Sequence, residues 1–353
     1  MEEIRVAIAG VGNVASALVQ GVEYYRNCKD EFIPGVMHPI LGGYTIGSIK
    51  FVAAFDVNKN KVGQDLAKAI FVKPNCALKI KDVPLTGVKV QKGPVLDGIG
   101  RYLREKIPID DRQQPVDVEK ALRKSKADVL VILVPVGSDR AARYYAECAL
   151  NAGVAVVNGM PALIANNPEL IALAEKKRVP VIGDDVKSQV GATITHRALI
   201  EMMVNRGVKI HNTYQLNIGG DMDFYNMLER ERLITKKITK TEAVKSLVPY
   251  EMPTHIGPSD YVEFLNNTKI AFIRIIASKF CDVPVSIEVK LEVQDAYNSA
   301  GILVDAIRCS KIAQDRKLGG AIIPASAYYM KKPPMQMPDA QAKAELEKFI
   351  NQR

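Results

Sequence analysis

The chain opens with an apolar run, Ile4-Arg5-Val6-Ala7-Ile8-Ala9, which rises to Gly10, turns through Gly12 and changes to helical periodicity at about Asn13. The pattern predicts a buried strand followed by a helix to about Arg26. Further on, Phe51–Asp56, Asp128–Val134, Ala155–Val157 and Val179–Ile182 are continuous apolar runs with no alternating polar positions. Such runs suit strands of a parallel sheet covered on both faces. Between them, Asp117–Lys126, Asp139–Ala152 and Pro168–Lys177 carry apolar residues at helical spacing, and another helix follows from Gly191 to about Asn205. Alternating strand and helix predicts a doubly wound, Rossmann-type α/β sheet.

The periodicity changes after this point. His211–Asn217 and Phe272–Ser278 read as strands, and in Val285–Val293 the apolar Ile287, Val289 and Leu291 alternate with Glu288, Lys290 and Glu292. Alternation of this kind predicts an antiparallel sheet with one wet face, inserted as an α+β unit before a closing helix, Asn298–Ala313. A strand-like Ala321-Ile322-Ile323 and a final helix from Asp339 complete the chain. The Gly- and Pro-bearing stretch 32–47 and the Pro-, Gly- and Lys-rich stretch 73–115 read as excursions, the latter as a long surface one. The expected organisation is a nucleotide-binding unit over 1–200, a catalytic and oligomerisation unit over 201–297, and a segment 298–353 that returns to the first unit.

The opening turn reads as G-x-G-x-x-A. Gly10 permits the tight turn, Gly12 admits a pyrophosphate close to the backbone, and Ala15 lets the helix pack on the strand. With Asn13 and Val14 these residues form a cradle at a helix N-terminus, where free N–H groups favour phosphate. The ligand expected is a nicotinamide or flavin dinucleotide. Asp56, at the end of the second strand, is the acid expected on the ribose hydroxyls. It lies well past the usual spacing of about 20 residues, which requires an insertion. Ligands of doubly wound sheets bind at the carboxyl ends of the strands, so Pro135 and Ser138, Asn158, and Asp184 with Asp185 join the candidate cofactor site.

Composition narrows the class. The 353 residues are 48% hydrophobic and 25% charged, ordinary for a globular protein. No apolar run reaches the roughly 18 residues that span a bilayer, and the acidic start, Met1-Glu2-Glu3, does not resemble a signal peptide. A cytoplasmic protein without membrane contact is expected. The five cysteines and four histidines show no metal-binding spacing, so no protein-built metal site is expected. The net charge of +9 is spread along the chain without a basic tail. This argues against nucleic acid and leaves room for a small phosphorylated substrate.

Polar clusters interrupt the regular elements at 183–189, 217–224, 236–241, 266–269, 294–299 and 328–333, and lysine recurs in most of them. Ammonium groups around one cavity could steady developing oxyanions. Four of the segments, Gly183–Arg197 (GDDVKSQVGATITHR), Asn217–Met227 (NIGGDMDFYNM), Ile256–Lys269 (IGPSDYVEFLNNTK) and Glu288–Arg316, closely resemble the myo-inositol-1-phosphate synthase family in its shorter prokaryotic form, and the resemblance extends over essentially the whole chain.

The resemblance implies NAD-dependent isomerisation of D-glucose 6-phosphate to 1D-myo-inositol 3-phosphate, by oxidation, enolisation, intramolecular aldol closure and re-reduction. It implies a homotetramer formed through the second sheet, and it leaves a monovalent or divalent cation open. It places Lys240, Lys269 and Lys331 near the substrate, and Asp295 with Asn298 and Ser299 in an acidic cluster. Asp185 and Lys187 would line the nicotinamide end, with Asn217, Gly219 and Asp221 on the substrate. Where longer members carry a further lysine pair this chain has Thr193, His196 and Arg197, so no first proton acceptor is assigned. The alternatives are a net sugar-phosphate dehydrogenase and a non-catalytic NAD-sensing regulator.

Overall fold

A computed structural model describes residues 2–233 and 247–352 of the chain. Seven strands form one parallel sheet: β1 (Ile4–Ala9), β2 (Ile49–Asp56), β3 (Val90–Lys92), β4 (Val129–Ile132), β5 (Ala155–Asn158), β6 (Pro180–Ile182) and, from the far end of the chain, β11 (Gly320–Ala321). They lie in the order β11-β6-β5-β4-β1-β2-β3. The expected Rossmann-type architecture is therefore present. The winding reverses between β1 and β4, and a crevice opens there beyond the carboxyl ends of the strands.

Two apolar layers cover the sheet. One packs the helices Asn13–Tyr24 and Asp295–Asp315 on Ile4, Val6 and Ile8, and the other packs Asp139–Ala152 on Ala7, Ala9 and Leu130. The helix Val118–Ser125 starts where the Asp117 side chain accepts the Lys120 N–H, and Pro168–Lys177 starts where Asn167 accepts that of Leu170. Such caps satisfy amide donors that a helix start leaves free. The helices Asp139–Ala152 and Pro168–Lys177 match the sequence reading residue for residue.

Strands β7 (Lys209–Gly219), β8 (Thr254–Tyr261), β9 (Thr268–Ser278) and β10 (Pro284–Gln294) form a second sheet in the order β10-β9-β7-β8. The pairs β10–β9 and β9–β7 are antiparallel, but β8 runs parallel to β7. The sheet is thus mixed, contrary to the wholly antiparallel one expected. Strand β8 escaped because Gly257 and Pro258 break its apolar pattern; Pro is tolerated on an edge strand, which β8 is. The helix Ala192–Asn205 packs through Ile200 and Met203 on Ile273 and Ile275 of this sheet.

Two further corrections concern the connections. The stretch 73–115 is not a surface excursion throughout: it supplies β3, a short helix Arg101–Lys106 and a buried Lys92. The segment read as strand-like around Ala321 is strand only at Gly320–Ala321, and Ile323–Tyr329 is a helix. Among the described residues, no helix is long and apolar enough to cross a membrane.

Candidate active site

The crevice at the winding reversal is a cleft of about 1560 Å³, its open mouth included. Its nucleotide end is the opening turn. Gly10 has φ +97°, and a Cβ there would lie 2.4 Å from the Leu133 carbonyl oxygen, so both the left-handed backbone and the close approach demand glycine. At Gly12, by contrast, a Cβ would meet nothing within 4 Å. It would project into open cleft, where a ligand could lie. Gly12 starts the helix Asn13–Tyr24 without a side-chain cap, and the first turn holds no acid. Its N–H groups and positive dipole end therefore suit phosphate. These features fit a dinucleotide.

Asp56 ends β2 on the cleft wall. Its Oδ2 accepts the Val11 N–H at 2.8 Å, and its Oδ1 accepts those of Val57 and Asn58 at 2.7 and 2.8 Å. The carboxylate thus braces the turn as well as facing the cleft. Lys61, which the sequence reading did not single out, is buried at the same end. Its Nζ donates to the Val11 carbonyl at 2.7 Å and to Asn75 Oδ1 at 2.8 Å, and burial lowers its pKa. Nothing in a lone lysine of a polar turn signals this placement, since the contact needs the whole fold.

The opposite end is built from segments far apart in sequence. Val186 and Met330 form an antiparallel bridge, Lys187 N–H donates to the Tyr329 carbonyl at 2.7 Å, and Lys331 N–H to that of Asp185 at 2.7 Å. Residues 184–187 and 329–332 are zipped together in this way. Lys331 Nζ lies 2.8 Å from Asp185 Oδ1. Also on the cleft wall, Lys269 on β9 lies 3.1 Å from Asp295 Oδ1, at the start of the closing helix. Asn267 Nδ2 donates to Asp221 Oδ2 at 3.0 Å. The cleft wall brings together Gly10, Gly12, Asn13, Val14, Ala15, Asp56, Pro135, Asp185, Asp221, Lys269, Asp295, Ser299 and Lys331 from among the expected residues.

Other expected residues do not line it. Lys187 turns into the interior, where its Nζ pairs with Asp339 Oδ1 at 2.6 Å, while Arg197 Nε reaches Asp339 Oδ2 at 2.7 Å. Burial lowers the Lys187 pKa, and Asp339 opposes that shift. Asp184 is wholly buried. It accepts the amide hydrogens of Ile164, Ala165 and Asn166 and the side-chain amides of Asn158 and Asn166, at 2.8–3.2 Å. Burial raises its pKa to about 6 against these donors. Asp184 and Asn158 therefore hold the loop 158–166 rather than facing the cleft. Ser138 is held by Arg232, Asn298 ties back to Val190, and Asn217 is an interior hydrogen-bonding residue. The Phe224 ring fills the space beside Gly219. Lys240 lies outside the described residues. Among those described, no cluster of three or more His, Cys, Asp or Glu is placed to hold a metal.

A smaller pocket adjoins the cleft, lined by Ser188, Thr193, Gln215, Lys269 and Lys331 and by the start of the helix Ala192–Asn205. Gly191 caps that helix without a side-chain bond. Two ammonium groups, two hydroxyls and a free helix N-terminus converge there, a set suited to a phosphate monoester.

The myo-inositol-1-phosphate synthase family model matches residues 191–296. The inositol-3-phosphate synthase of Mycobacterium tuberculosis is 55% identical over 352 residues, 99% of this chain and 96% of that one. The enzyme of the same name from Mycolicibacterium smegmatis is 53% identical over 356 residues, 99% and 98% of the two chains. The crystal structure of a myo-inositol-1-phosphate synthase-related protein from Thermotoga maritima superposes with a TM-score of 0.79 at 25% identity, over 100% of this chain and 99% of that one. This chain belongs to the myo-inositol-1-phosphate synthase family.

Proposed function

We propose that the chain is an NAD-dependent isomerase that turns D-glucose 6-phosphate into 1D-myo-inositol 3-phosphate. The observation that carries this reading is the pairing of Lys331 with Asp185 and of Lys269 with Asp295 on the wall of the same cleft that the glycine turn opens. A dinucleotide would lie along Gly10–Ala15 and Asp56. The sugar phosphate would reach the smaller pocket, its anionic end held by Lys269, Lys331, Ser188, Thr193 and the helix start at Ala192.

When bound, NAD supplies a reversible oxidation of the sugar, so that redox change is temporary. The chain's own groups do the rest. Two ammonium groups at cleft walls steady the oxygens that become negative as the sugar enolises and closes. Each has a carboxylate at hydrogen-bond distance, which can take or return a proton as that charge comes and goes. Lys187, paired in the interior, holds the 184–187 segment rather than touching substrate, and Asp184 fixes the loop behind it.

The outer face of the second sheet supports assembly into a homotetramer. Tyr214, Leu216, Ile218, Ile270 and Phe272 lie together on that face, with Leu216 directly opposite Phe272, which is 40% exposed. Apolar side chains grouped on an open sheet face favour covering by a second copy. A monomer by light scattering at micromolar concentration would remove this part. A phosphorylated sugar and a pyridine dinucleotide as partners fit the cytoplasm.

The experiment is incubation with glucose 6-phosphate and NAD, with products followed by phosphorus NMR and the nicotinamide by absorbance. Inositol phosphate without lasting NADH is expected. NADH equal to product would establish a net dehydrogenase instead, and dinucleotide binding with no product a sensor.

A further inference from the structure

Val11 sits between the two glycines of the opening turn and is completely buried. Its N–H donates to Asp56 Oδ2 at 2.8 Å. Its carbonyl oxygen accepts twice, from Lys61 Nζ at 2.7 Å and from Asn75 Nδ2 at 3.0 Å. A backbone carbonyl has two lone pairs, so this one is fully used. The partners' own bonds fix which atoms face it. An ammonium only donates, so Asn75 must turn its Oδ1 to Lys61 Nζ, 2.8 Å away. Its Nδ2 is then left for two groups that only accept, the carbonyls of Val11 and Ile70, the latter at 2.9 Å. The start of the first helix holds this segment in place as well: Asn13 Oδ1 accepts the N–H groups of Cys76 and Ala77 at 2.7 and 3.1 Å.

The clamp matters because the next residue is Gly12. A trans peptide is planar, and its N–H points opposite to its C=O. Glycine takes φ of either sign, so the Val11–Gly12 peptide could turn over without strain at Gly12. With the Val11 carbonyl drawn to Lys61 and Asn75, the Gly12 N–H points away from them, and among the described residues no acceptor takes it. Gly12 itself lines the cleft.

We infer that Lys61 and Asn75 are positioning residues: by clamping the Val11 carbonyl they hold the Gly12 N–H as a donor to a pyrophosphate oxygen and keep the carbonyl, which would repel that oxygen, turned away. The clamp follows from the protein alone, whereas its benefit to the cofactor rests on the dinucleotide placement above. Lys61 is 4% exposed, with two of its three N–H bonds committed to Val11 and Asn75. Asn75 carries no charge. Both residues therefore act through the peptide rather than by attracting phosphate themselves.

Two measurements test this. The first is the calorimetric Kd of wild type, Lys61→Met and Asn75→Leu for ADP, which carries a pyrophosphate, and for adenosine, which does not. Expected is ADP binding about tenfold weaker in both variants, the loss of one hydrogen bond to a charged group, with adenosine within about twofold of wild type. Adenosine weakened as much as ADP would make the two residues merely structural. ADP weakened in Lys61→Met alone would make Lys61 a direct charge contact, and ADP unchanged in both would leave the clamp without effect. Each of these overturns the inference. The second is a crystal structure, without ligand, of the double variant Lys61→Met with Asn75→Leu. The Val11 carbonyl should be turned over or divided between two orientations; the wild-type orientation alone overturns the clamp. If wild type binds ADP no more tightly than adenosine, the dinucleotide placement fails by itself, and the double variant still decides the clamp.

Discussion

Lys331 and Asp185 hold each other at both ends: the Lys331 ammonium lies 2.8 Å from Asp185 Oδ1, and the Lys331 backbone N–H donates to the Asp185 carbonyl at 2.7 Å. Asp185 sits in the left-handed backbone region, φ +63°, which aspartate tolerates better than most residues. The ammonium is thus aimed by backbone geometry. Lys331→Ala should lower kcat by at least about 100-fold, roughly 2.7 kcal/mol of barrier, with NAD affinity kept. Turnover within about tenfold of wild type, alongside unchanged binding by calorimetry, would take Lys331 out of the chemistry. Lys269→Ala should behave in the same way.

The two glycines of the opening turn should fail differently. Gly10→Ala drives a methyl group to 2.4 Å from the Leu133 carbonyl in a left-handed backbone, so thermal stability should fall. At Gly12 a Cβ would meet no protein atom within 4 Å, and Gly12→Val should leave the melting temperature nearly unchanged while abolishing NAD binding. Retained NAD affinity in folded Gly12→Val would refute the placement of the dinucleotide.

Asp339 is shared by two buried cations, Lys187 and Arg197. Removing one partner from a buried ion cluster costs about 3–5 kcal/mol, and Asp339→Ala should lose that much in urea unfolding. Lys187→Met separates two roles. An interior anchor predicts lower stability and residual turnover, whereas a cleft base predicts normal stability and no turnover. The first outcome is expected.

His38 joins the loop after the first helix to the closing and last helices. Its Nε2 lies 2.8 Å from Glu347 Oε1 and its Nδ1 3.7 Å from Asp305 Oδ2. Asp305 raises its pKa, burial opposes this, and Glu347 adds to the rise. The folded state therefore holds the proton more tightly than the unfolded chain. The stability this gives is complete below about pH 6.5 and is lost as pH rises through the folded-state value. Unfolding midpoints of wild type and His38→Asn should differ most at acid pH and converge above it. A difference constant with pH would rule out the clasp.

Much of the parallel sheet was legible because a strand buried on both faces writes a continuous apolar run, as in Val129–Ile132, and helix starts carry their own signals, as at Asp117 and Asn167. Strand β8 was not legible: it pairs on one side only and tolerates Gly257 and Pro258. The opening turn was readable for a similar local reason, since the left-handed backbone at Gly10 and the helix start after Gly12 are set within a few residues, whereas the Leu133 carbonyl that also crowds Gly10 arrives only through strand order. The lysines were visible as polar interruptions, yet nothing local distinguishes Lys331, on the cleft wall, from Lys187, a few ångströms of backbone away in the same zipped pair of segments but paired inside with Asp339.

The sequence by itself determined most elements of the parallel sheet, the class of that sheet and the form of the glycine turn, because hydrophobic period, capping and backbone sterics act over a few neighbouring residues. Only the tertiary structure decided which charges meet: Lys331 with Asp185, Lys269 with Asp295, and both lysines beside Gln215. Those partners come together through strand order and the folding back of residues 329–332 onto 184–187. A charge acts through its distance to other charges, and that distance exists only once the chain is folded.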